Sequence, residues 1–384
     1  MSISLSKSFV DQLVAFRQTL HRFPELSGAE QQTAARVVAK LQETAPDEIR
    51  EGLGGHGVLA LYSGKEPGPT IMFRAELDAL PIKEINTFSY RSEREGWGHK
   101  CGHDGHMASL LGLAQLLGEL RPQKGTVGVL FQPAEETGQG APAVLADSRF
   151  KSFQPDYSFA YHNLPGFPIG KVIVRNDTFS AAVKSLIVRL KGKTSHAAQP
   201  EHGINPSHAI ARMLDRAAEL QEARYGQDDF FLITPIAIRM GELAYGTSAG
   251  EGALHFTLRA WTTDHLEHQA SILTQSFADI AVQDGLEVEI EWLHVFPATE
   301  NDSGAYQKVR EAALQNGFSM LDKPRPFRWG EDFGHFTREY PGALFGIGSG
   351  LNCPALHNPD YDFPDAILPI AVRMFHTIAR NLVG

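Results

Sequence analysis

The sequence predicts an α/β protein: a mixed, largely parallel sheet sandwiched by helices, with a smaller α+β domain inserted into it. Three observations carry this. TVGVLFQ (126–132) is a continuous apolar run bounded by turn signals, as a strand covered on both faces requires. DGHMASLLGLAQLLGEL (104–120) is apolar on nearly every face, the mark of a buried helix. From residue 182 the order becomes β-α-β-β-α-β, the split βαβ unit of a ferredoxin-like satellite.

Each element has its own signal. Phe9, Leu13, Phe16 and Leu20 recur at helical spacing. A second helix follows Pro24, with Ser27 as its cap and Glu30 three positions on. Short apolar strands come next at 57–63 and 70–75, then the buried helix, the 126–132 strand and YSFAYH (157–162). Strands alternating with helices argue α/β. AVKSLIVRLKG opens the insertion, and Asn205 starts a helix with Pro206 in its first turn. FLITPIAIRM and ALHFTLRAWTT are two further strands. Asp264 caps a helix with Glu267 in the capping position, and LEVEIEWL closes the unit. After Pro297 the α/β texture returns, ending in a helix near 366–381. The expected boundaries are a discontinuous domain of 1–181 and 295–384 around an insertion of 182–294.

Composition bounds the function. A chain of 384 residues exceeds what one core usually organises, which favours two domains. A net charge of −10 without any Lys/Arg run leaves no footprint for nucleic acid or an anionic membrane. No apolar run approaches the ~20 residues that span a bilayer, and the N-terminus reads as an amphipathic helix rather than a secretory leader. Two cysteines are too few for a disulfide framework. The expectation is a soluble, cytoplasmic protein.

Two motifs fail on context. GLGGHG (52–57) has the dinucleotide pattern, but a strand follows it where a helix N-terminus must hold the pyrophosphate. GTSAG (246–250) has the nucleophile-elbow pattern, but Ser248 also leads into a strand, so a hairpin loop is the better reading.

KCGHDGH (100–106) is different. On a loop entering the helix at Asp104, Cys101 and His103 can converge on one ion, and a thiolate with an imidazole suits Zn²⁺ or Mn²⁺. Incidental neighbours are the alternative. A redox thiol lacks a Cys-x-x-Cys partner. QPAEETG places Glu135 and Glu136 at the end of the 126–132 strand. Adjacent residues on an extended chain point to opposite sides, so one carboxylate can bind metal while the other faces substrate as a base. A solvated pair is the alternative there. Asp78 follows another apolar strand, His162 ends YSFAYH, and His357 lies in ALHNPDYDF. Ligands of open α/β sheets gather at the carboxyl ends of strands, and Asp78, Glu135, Glu136 and His162 share that placement.

These residues carry a resemblance. LHRFPELSGAE, FRAELDALPI, CGHDGHMA, FQPAEETGQGA, SHAAQPEHGINP, GEDFGHF and LHNPDYDF run in order from residue 20 to 363. As a set they resemble the aminoacylase and carboxypeptidase type of binuclear metallohydrolase, in its amidohydrolase branch. The resemblance implies two divalent cations (Mn²⁺ or Zn²⁺) held by Cys101, His103, Glu136, His162 and His357, with Cys101 between them. It implies Glu135 as general base and acid, and Asp78 behind the ligands, fixing one of them or the base. It further implies His196 as an oxyanion donor, Arg259 as a clamp on a substrate carboxylate, and dimerisation through the insertion. The implied reaction is hydrolysis of N-acyl or N-aroyl amino acids, small-molecule substrates. Glu76 stands where many branch members carry aspartate, and EGWGHK before the cysteine is less standard. A dipeptidase or aminopeptidase on the same scaffold, a non-catalytic binder of acyl-amino acids, and a serine esterase through Ser248 are the competing readings.

Overall fold

The computed structural model describes residues 3–221 and 228–384. The chain divides into two compact units. The first comprises Met1–Phe179, Thr299–Pro324 and Glu331–Gly384, the second Ser180–Ala298 and Arg325–Gly330. The short segment Arg325–Gly330, which the sequence reading leaves in the larger domain, belongs to the second unit. Its Phe327 carbonyl accepts from Ala181 N at 2.9 Å.

The first unit is built on an eight-stranded mixed sheet flanked by helices. Four strands at its centre run parallel, in the spatial order Lys124–Gln132, Glu66–Glu76, Tyr157–Pro165, Gly342–Gly350. Glu48–Leu53 and Gly57–Ser63 form an antiparallel hairpin on one side, so GLGGHG is the turn between two strands. The 124–132 strand is covered on both faces, as its unbroken apolar run predicts. Val127, Val129 and Phe131 enter the main core, whereas Gly128 on the opposite face lies against the Phe153 ring. The helix His103–Glu119 is buried on nearly every side, and only Gln115, Gly118 and Glu119 reach solvent.

The N-terminal region corrects two expectations. Helix Lys7–Arg22 forms as predicted and buries Leu13, Phe16 and Leu20. The next helix, Gln31–Gln42, is not capped by Ser27. Glu25 does that work by accepting from Thr33 N at 2.7 Å, and Ser27 Oγ instead donates to Asp78 Oδ2 at 2.7 Å. The C-terminal segment Asp365–Val383 is, against expectation, long and apolar enough to cross a bilayer. A core helix passes the same test, and here Leu368, Val372, Phe375 and Ile378 pack into the sheet's core.

The second unit is a four-stranded antiparallel sheet in the order Phe231–Met240, Glu251–Ala260, Ala182–Lys191, Glu287–Phe296. Helices Ser207–Leu220 and Thr263–Gln283 supply Ala209, Met213, Leu273 and Phe277 to its core. This is the expected split βαβ order. The cap of the second helix differs: Thr262, not Asp264, accepts from His265 N, and Glu267 pairs with Lys184 Nζ at 2.7 Å. Ser248 lies in the short strand Thr247–Ser248, paired with Ser195–His196, and the strand Glu251–Ala260 follows it. That geometry is not a nucleophile elbow.

Candidate metal centre

The four central parallel strands deliver the site from their carboxyl ends. Asp78 follows Glu66–Glu76, Glu135 and Glu136 follow Lys124–Gln132, and His357 lies on the loop after Gly342–Gly350. His162 lies inside Tyr157–Pro165, paired in register with Gly346. Cys101 and His103 come from the turn that starts the long helix. Gly102 between them adopts φ +100, and a Cβ there would sit 2.6 Å from Asn163 Oδ1. Only glycine turns the chain so sharply beside that amide.

The sequence-predicted residues converge. Cys101, His103 and His162 form one group of donor atoms within 4.8 Å of one another; Cys101, Glu136 and His357 form a second. Cys101 is common to both. Its Sγ lies 3.5 Å from His162 Nε2, and His357 Nε2 lies 3.6 Å from Glu136 Oε2. Glu135 adjoins both, with Oε2 at 3.9 Å from His103 Nε2. Asp78 stands behind: its main-chain oxygen is 2.9 Å and its Oδ1 3.2 Å from His103 Nδ1. Asp78 Oδ2 also accepts from Glu136 N at 3.0 Å. One carboxylate thereby orients a donor imidazole, leaving Nε2 to face the group, and fixes the backbone of the next donor.

The residues fit divalent cations. Burial, then the carboxylates of Glu136 and Glu135, push the Cys101 thiol well above its usual value. Burial holds Glu135 well above the usual carboxylate range, with Glu331 and Glu136 adding to it, and raises Glu136 to about 7 despite His103. Burial disfavours charge on His103, yet Asp78 and Glu76 outweigh it and raise that imidazole to about 10. Burial pushes His162 down to about 3. Glu136 Oε1 has no hydrogen-bond partner among the described residues. Buried donors that resist ionisation, with an orphaned oxygen among them, are what a cation compensates, and thiolate with imidazole and carboxylate suits a borderline metal.

The structure adds residues that spacing did not reveal. Arg74, fully buried, pairs with Glu76, Glu331 and Asp332. Asp332 N donates to Glu135 Oε1 at 3.3 Å, and Asp332 Oδ2 accepts from Gln132 Nε2 at 2.7 Å. Glu76 also meets His106 Nδ1 at 2.6 Å, so the residue that departs from the branch pattern lies directly behind the site. On the helix side, Asp104 pairs with Arg17 and His21. His21 and Asp332 fall inside stretches already singled out, but nothing in their spacing shows what they touch. His196 and Arg259 belong to the second unit. His196 is exposed, its Nδ1 accepting from Ala198 N at 3.0 Å, and Arg259 Nε donates to Arg328 O at 3.0 Å.

The sequence pattern of peptidase family M20/M25/M40 matches residues 72–381. The chain belongs to that family. It is a hydrolase with a metal-binding active site. It is 28% identical over 374 residues to the N-acetylcysteine deacetylase of Bacillus subtilis (strain 168), covering 97% of each chain. It is 27% identical over 375 residues to the N-acetyldiaminopimelate deacetylase of the same organism, covering 97% of this chain and 100% of that one. The crystal structure of the Bacillus subtilis YXEP protein, a dinuclear metal binding peptidase from the M20 family, matches with a TM-score of 0.83 and 27% identity. That match covers 98% of this chain and 99% of the other.

Proposed function

We propose that this chain hydrolyses the amide bond of N-acyl or N-aroyl amino acids, releasing a carboxylic acid and a free amino acid. The observation that carries the reading is the pair of donor groups sharing Cys101, with Glu135 beside both. Cys101, His103 and His162 would hold one divalent cation, and Cys101, Glu136 and His357 the other. Bound there, the cations supply Lewis acidity to the amide carbonyl and acidity to a water. The deacetylases that the chain resembles, on N-acetylcysteine and N-acetyldiaminopimelate, support an acylated amino acid as substrate.

Glu135 is the base in this reading. Cations beside it would offset the burial that raises its pKa, and its carboxylate then takes a proton from the attacking water as the water oxygen bonds to the carbonyl carbon. It returns that proton to the amide nitrogen as the C–N bond breaks, so no proton is gained or lost by the protein. Asp332 N holds Glu135 Oε1 while Asp78 holds His103. His196 would steady the developing oxyanion and Arg259 the substrate carboxylate. The metals in this reading are Mn²⁺ or Zn²⁺, the protein works in the reducing cytoplasm, and the 182–294 insertion pairs two copies into a dimer. Light scattering on the purified chain tests the last point.

The decisive experiment measures amine release from N-acetyl, N-benzoyl and indole-acetyl amino acids, with Mn²⁺ or Zn²⁺ and with chelator. Metal-dependent turnover is expected. Silence on the whole panel while two cations are bound would sink the acyl-amino-acid reading in favour of free-amine peptides.

A further inference from the structure

His357 is the odd member of the candidate ligand set. Its side chain is 51% exposed, and it sits on a stretch, 351–364, without strand or helix. Its backbone has φ 65, the left-handed region. A non-glycine residue persists there only where its surroundings over-determine it. Here those surroundings lead back to one buried side chain.

That side chain is Lys100, 0% exposed. The main-chain carbonyl of Lys100 accepts from His357 N at 2.8 Å. Its Nζ donates to Tyr361 O at 2.8 Å, to Glu84 Oε1 at 2.5 Å and to Asn86 Oδ1 at 3.2 Å. The segment holding those two acceptors grips the same loop: Ile85 N donates to Pro359 O at 3.2 Å and Asn86 Nδ2 to Asp360 O at 3.0 Å. Three acceptors from two separate segments converge on one nitrogen. An ammonium with three donors satisfies them all, whereas an apolar side chain gives none of them a donor and leaves Glu84 Oε1 to His21 Nε2 alone, 3.0 Å away. Lys100 also precedes Cys101, so the residue that ties down His357 is bonded to the thiol donor that His357 must face.

We propose that Lys100 is a staple that sets the reach of His357 toward Cys101 and Glu136, and thereby the affinity of the cation those three residues hold. The cation of Cys101, His103 and His162 does not depend on it. This rests on the two-cation reading above. Lys100 touches neither cation; it is a positioning residue.

The test titrates metal-free protein with Zn²⁺ against a chromophoric chelator, giving two stepwise constants. His357→Ala and His162→Ala assign each constant to its donor group. Lys100→Met keeps the stem and removes the donor. It should weaken the His357 constant by roughly 10- to 100-fold and leave the His162 constant within about twofold, the size usual for a residue that orients a ligand. Asn86→Ala, at a half-buried position outside the core, cuts two ties and should weaken the same constant by a smaller factor. It decides alone if Lys100→Met does not fold. The staple is overturned if the variants weaken both constants equally, weaken only the His162 constant, or change neither. A wild-type chain that binds no divalent cation overturns the two-cation reading itself, which separates the two failures.

Discussion

His162 and His357 would serve the same kind of ion with the same kind of atom, yet they are built in opposite ways. His162 is 5% exposed on a central strand, held in ladder register with Gly346, its Nδ1 facing Asn163 O at 2.8 Å. His357 stands half in solvent on an irregular loop with a left-handed backbone. One donor is fixed by the sheet, which cannot move without unfolding. The other is fixed by a few hydrogen bonds, which can open locally. The contrast predicts a tight, structural half and a looser, exchangeable half within one centre.

The largest effect tests what lies between the halves. Glu135→Gln should cut turnover by ~10² to 10⁴ while both cations remain bound, read by steady-state kinetics and metal analysis on the same sample. Near-normal turnover with full metal would remove Glu135 from the base role. Next comes the contrast itself. His357→Ala should cost one cation with little change in thermal midpoint. His162→Ala should cost a cation and also stability, because it empties space beside the buried His106 ring, 4.9 Å away. Equal thermal losses would erase the distinction between sheet-held and loop-held donors.

A smaller effect sharpens the sheet-held side. Gly102→Ala forces a Cβ toward Asn163 and a methyl side chain into φ +100. A destabilisation of roughly 1–3 kcal/mol, measured by denaturant unfolding, is expected with weakened metal binding. Unchanged stability would mean the turn relaxes freely.

The smallest effect is a pH dependence beneath the centre. Burial opposes charge on His21, but Asp104 and Glu84 overcome it and raise the imidazole from 6.5 to about 9. A folded value above the unfolded one means the stabilisation is complete below pH 6.5 and disappears as pH rises through about 9. The thermal midpoint of the wild type should therefore fall across that window more than that of His21→Gln. Parallel curves would show that the pair carries no linked proton.

The architecture was legible because its signals are local. The unbroken run of 126–132 and the all-round apolar helix each announce burial on every side, and both form where expected. The strand Gly342–Gly350 was not legible. GALFGIGSG has too few large side chains to read as a central strand, yet its glycines are there because neighbours leave no room. A Cβ on Gly346 would sit 2.1 Å from a Leu164 methyl, and one on Gly342 would sit 2.2 Å from Ser158 Oγ. Glu136 and His162 were legible as metal-binding residue types at strand ends and Cys101 and His103 as a pair on a loop entering a helix, while the full set of five, with His357, came from the resemblance. Arg74, Asp332 and Lys100 were not, because an isolated basic or acidic residue in a sequence reads as surface until a fold buries it. Ser27 shows the same limit from the other side: its capping pattern was real, but Asp78 took the hydroxyl.

Gly342–Gly350 also sets the order in which this protein comes into being. It lies between Tyr157–Pro165 and Val172–Val174, two strands made some 170 residues earlier on the ribosome. In the sheet order nothing but Gly342–Gly350 joins those two strands. A nascent chain already carries Cys101, His103, Glu136 and His162, but it has neither that strand nor His357. Four of the five candidate donors are therefore made before the second unit is translated, and the fifth only after it.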